Sequence, residues 1–120
     1  MTVRVSTSMK DDLTDILATK IEGGDLQIKT GAAPGADNSA TGTVLVTFTS
    51  IAFNASSGGI AELTAEVSAT AVADGTAGHG WWTDGTDVME WTVGYALTIN
   101  AEEIVSGADV DLLTLPVNVG

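Results

Sequence analysis

The chain has 120 residues, 44% apolar and 17% charged, which suits one domain with its own core and excludes compositional disorder. Four Lys/Arg against 16 Asp/Glu give a formal charge of −12, so nucleic acid and anionic membranes are not expected partners. The absence of cysteine removes any disulfide framework or thiolate chemistry and suits synthesis in a reducing cytoplasm.

In chain order, Thr2–Ser6 reads as a short strand or an ordered arm. It lacks the apolar stretch of a secretory signal, and no later run approaches the roughly 20 apolar residues of a membrane span. A helix is predicted over about 8–22, with Ser8 as N-cap and Asp11 closing an approximate capping box. Met9, Leu13, Ile16, Leu17 and Ile21 recur at near-helical spacing, and Gly23-Gly24 ends the element. This stripe is expected to pack on the chain's own sheets. All four cations (Arg4, Lys10, Lys20 and Lys29) fall within the first 29 residues. Arg4, Lys10 and Lys20 are therefore the candidate docking side.

Leu26–Thr30 alternates as a half-buried strand, and residues 31–42 form a Gly- and Ala-rich loop. Val44, Val46 and Phe48 share one strand face, and Leu45 on the other predicts burial on both sides. Asn54–Gly59 is a turn. Ala61–Ala71 alternates small apolar with polar residues and reads as one long strand, with a helix over Ile60–Val67 as the alternative. Residues 78–93 read as a hairpin around Asp84-Gly85. Tyr95, Leu97 and Ile99 mark another strand, and Ala101–Gly107 an acidic loop or helical turn. Two phases meet at Leu112-Leu113, which implies a bulge or turn, and Pro116 favours an edge or strand end.

The expected fold is mainly β: a single antiparallel β-sandwich, jelly-roll-like, spanning 1–120 with an arm and one short helix at its start. No catalytic, cofactor or metal site is expected. His79 is the single histidine, without a nucleophile elbow or a second ligand beside it. Asp84-Gly85-Thr86-Asp87 and Asp109-Val110-Asp111 depart from the calcium-loop pattern. Trp81 and Trp82 point to opposite strand faces, so one is expected in the core and the other exposed or at an interface. Trp91 is expected to pair with one of them across the hairpin.

The opening Thr2-Val3-Arg4-Val5-Ser6-Thr7-Ser8-Met9-Lys10-Asp11-Asp12-Leu13 resembles the start of small virion proteins of tailed bacteriophages. The similarity continues through Gly23–Gly31, Ala40–Phe48, Ser68–Gly78, Trp91–Gly94 and Leu112–Val119. Trp82-Thr83 departs from the basic residue that such proteins carry after the hairpin tryptophan, and no functional residue is carried over. The resemblance implies a non-enzymatic capsid cement or decoration protein on the outer surface of the virion. Its implied partners are the major capsid protein and further copies of itself, as a homo-oligomer with a trimer favoured. Interface candidates are Val3, Arg4, Met9, Lys10, Leu13, Trp81 and Trp82. A neck, tail or fibre component is the alternative. A carbohydrate-binding β-sandwich is the alternative of another class.

Overall fold

Ser6, rather than Ser8, opens the helix: its hydroxyl accepts the Met9 N–H at 3.2 Å, and α1 runs Thr7–Glu22. The computed structural model describes residues 4–22, 25–94 and 97–118, so Gly23-Gly24, Tyr95 and Val119 lie outside the described residues. Asp11 closes no capping box. Its side chain instead accepts the Gly59 N–H at 2.7 Å.

That contact is one of three that set the rotation of α1. Asp15 accepts the Ser56 N–H and Glu22 the Phe53 N–H, both at 2.8 Å. The three carboxylates turn one flank of the helix onto the 53–59 loop, and the adjoining face goes inward. Thr14, Ala18 and Ile21 are buried there. Of the predicted stripe only Ile21 is fully buried and Leu17 half-buried, whereas Met9, Leu13 and Ile16 stay 50%, 39% and 63% exposed. The expectation that the whole stripe packs inward is thus corrected: polar anchoring and small residues, rather than the largest apolar ones, select the buried face.

The main sheet contains β1 (Asp25–Thr30), β2 (Val44–Phe48), β5 (Gly75–Thr83) and β6 (Val88–Thr92) in the order β2-β1-β5-β6. Short β8 (Glu103–Ile104) pairs with the start of β5. A second sheet sets β9 (Asp109–Thr114) between β4 (Val67–Thr70) and β7 (Thr98–Ile99), and β3 (Ile60–Ala61) pairs with β10 (Val117–Asn118). Every pairing between these strands is antiparallel. The fold is mainly β with one helix before the sheets, as expected.

Register explains the core. Leu26 stands opposite Phe48 on one side and Trp82 on the other, and Ile28 opposite Val46 and Gly80. These residues share a sheet face with Met89 and Trp91. They form one buried cluster with Leu97, Ile99, Val110 and Leu112. Leu45 and Val46 are both fully buried, so β2 is covered on both sides as predicted.

Ala61–Ala71 is not one strand, and no helix forms over Ile60–Val67. The segment pairs with β10 at Ile60–Ala61, bridges Phe53 at Leu63, and then joins β9 from Val67. Side-chain alternation largely survives this change of partner, which is why the sequence shows no break. Ala101–Gly107 contains strand β8 rather than a helical turn. The Leu112-Leu113 bulge is present: Thr98 faces Thr114 and Ile99 faces Leu112, leaving Leu113 without an opposite residue on β7.

Candidate interface

The exposed side of α1 carries Met9, Leu13 and Ile16 at i, i+4 and i+7, one continuous apolar line along the helix. Two interface candidates, Met9 and Leu13, lie on it; Ile16, its most exposed member, was not among them. The opposing pattern was legible: Asp11 and Asp15 at i, i+4 beside small Thr14 and Ala18 mark the anchored side. Val3 lies outside the described residues. Arg4 is exposed and Lys10 half-buried, and neither forms an ion pair among the described residues.

Lys20 is not a free docking cation. Its ammonium pairs with Asp87 and lies 3.6 Å from Asp84, tying α1 to the β5–β6 turn. The Asp87 hydrogen bond is the main cause that raises the Lys20 pKa. Asp84 is held below the ordinary carboxylate value, chiefly by backbone N–H groups of Asp87 and Thr86 at 2.7 and 2.9 Å, with Lys20 adding to it. These contacts belong to the Asp-Gly turn itself, where Gly85 takes a φ of +94°.

Trp81 and Trp82 do point to opposite faces, yet both are buried, at 5% and 0% exposure. The expectation that one is exposed is corrected. The outer face of the main sheet is roofed by the 31–42 loop: Gly31 carbonyl meets His79 Nδ1 at 2.9 Å, and Gly35 N–H donates to Glu90 at 3.1 Å. Under it Lys29, itself 6% exposed, sits 5.8 Å over the Trp81 ring, and His79 meets that ring edge-on. Neither Trp81 nor Trp82 offers a sugar a free stacking face. Trp91 is half-buried, faces Gly80 rather than a tryptophan, and donates its indole N–H to Pro116 carbonyl at 3.0 Å.

His79 is fully buried, and its Nε2 has no hydrogen-bond partner among the described residues. Its Nδ1 contact with the Gly31 carbonyl ties the 31–42 loop to β5. Asp111 accepts the Ser68 hydroxyl at 2.6 Å across β4–β9. Among the described residues no helix is long and apolar enough to cross a membrane.

Two of the four cations are engaged, Lys20 in a surface ion pair and Lys29 under the loop, while Arg4 and Lys10 lie at the start of an apolar helix line on an acidic body. Such a line can bind by burying area against a complementary surface and provides no group for covalent chemistry. No protein-family model, curated protein or solved structure matches this chain.

Proposed function

We propose that this chain is a non-enzymatic structural protein of a tailed-bacteriophage virion. In this reading it is a capsid cement or decoration protein that stabilises the shell by bridging coat subunits from outside. The observation that carries the reading is the unburied Met9–Leu13–Ile16 line, placed in the segment that holds all four of the chain's basic residues. The resemblance of residues 2–13 to small virion proteins gives that line its partner class. The sandwich-like layering is compatible with a jelly-roll relative, and that finer assignment is part of the proposal.

The mechanism is area burial. Each large apolar side chain transferred fully from water to an interface contributes about 1.5–3 kcal/mol. Small gains of this kind, repeated at every symmetry-equivalent position of a shell, reinforce the whole particle. Self-association of the bound copies is part of the same reading.

Quantitative mass spectrometry of purified particles tests it. Copy numbers comparable to the coat protein, with loss of shell stability when the protein is removed, are the expected result. A few copies per particle would place it in the neck, tail or fibre instead, and absence from the particle would overturn the proposal.

A further inference from the structure

We infer that the open edge of β6 accepts residues 3–5 of a second copy of this chain, which add there as a short extra strand. The inference rests on the self-association part of the reading above and gives it a location.

The edge follows from the ladder. Val93 N–H donates to Gly78 carbonyl at 3.1 Å, and Asp84 N–H to Asp87 carbonyl at 3.3 Å. Antiparallel alternation then makes Gly80–Trp91 and Trp82–Met89 the hydrogen-bonded pairs of β5 and β6. Val88, Glu90 and Thr92 consequently aim their N–H and C=O groups away from β5. No described backbone group meets them, and β6 ends the sheet. An uncovered edge of this kind is a template for another strand. Beside it lies a cleft of about 390 Å³ lined by Leu17, Met89, Trp91, Pro116 and Val117, among others.

Val3-Arg4-Val5 fits both features. It alternates β-branched and basic residues, the pattern of a short strand. With Arg4 opposite Glu90, their side chains share the outer face, and Val5 falls opposite Met89, on the cleft side. Charge is complementary. Among the described residues Glu90, close in sequence to the acidic Asp84–Asp87 turn, has no cationic partner, and exposed Arg4 forms no ion pair.

In the chain itself Arg4 and Val5 form no strand and β6 ends its sheet, so the added strand is assigned to another copy, exchanged reciprocally or head-to-tail.

The test combines sedimentation equilibrium with charge reversal, each variant first checked for native circular dichroism. The full chain is expected to self-associate, Arg4→Glu and Glu90→Arg each to shift it to monomer, and the double reversal to restore the oligomer. Because the chain has no cysteine, Arg4→Cys protein mixed with Glu90→Cys protein should also give a covalent dimer on oxidation. An oligomer indifferent to both reversals overturns this inference while leaving self-association through another surface intact. Failure of the mixed cysteine variants to form the covalent dimer overturns it as well. A monomer at all concentrations overturns both the inference and the self-association on which it rests.

Discussion

Thr14 shows how a polar side chain earns a buried position. It is fully enclosed, and its hydroxyl donates to the carbonyl of buried Gly59 at 3.1 Å, joining α1 to the 53–59 loop. Thr14→Val keeps the shape but strands that carbonyl, and should cost about 1–3 kcal/mol in urea unfolding. Gly78 is fixed by a different necessity: a Cβ there would lie 2.0 Å from the Gly31 carbonyl oxygen. Gly78→Ala should therefore lift the loop that roofs Trp81, seen as increased indole accessibility to a quencher. The Asp84 carboxyl is depressed mainly by the N–H groups of Asp87 and Thr86, so it supports the turn above its ordinary value of 3.8. That support is lost as pH falls through the lowered folded value. An NMR titration should place its midpoint below 3.8, and Lys20→Gln should raise it only part of the way. At this scale the sequence told which faces Trp81 and Trp82 take, because strand alternation is local. It was silent on their burial, because the roof over Trp81 is a loop with no periodic signal.

Elements were legible where pattern and partner agree. The helix, the Asp-Gly hairpin and the Leu113 bulge each have a local cause in caps, turn residues or a change of phase. The long Ala61–Ala71 segment was misread because alternation records which side is buried, not which strand lies alongside. The helix was found but its rotation was not: apolar size pointed to Met9, Leu13 and Ile16, whereas Asp11, Asp15 and Glu22 anchor the opposite flank. Ile21→Ala, on the buried face, should cost about 2–5 kcal/mol. Leu13→Ser, on the exposed line, should leave the unfolding midpoint nearly unchanged while weakening docking. Paired denaturation and binding measurements on the two variants separate the faces.

For the whole molecule, a charge of −12 on 120 residues opposes compaction, with all four basic residues confined to one end of the sequence. The thermal midpoint should rise as salt is added from low ionic strength, since screening relieves the repulsion over roughly a Debye length. The same distribution places Arg4 and Lys10 at the start of the exposed apolar line of α1. The central claim is that this region docks the protein on a coat-protein shell. Co-sedimentation with shells assembled from the coat protein of the same phage measures it most directly, comparing the full chain with a Met9→Ser, Leu13→Ser, Ile16→Ser variant. The full chain should saturate the shells, and the variant, still folded by circular dichroism, should remain in the supernatant. Equal binding of the two, or no binding by either, would contradict the account.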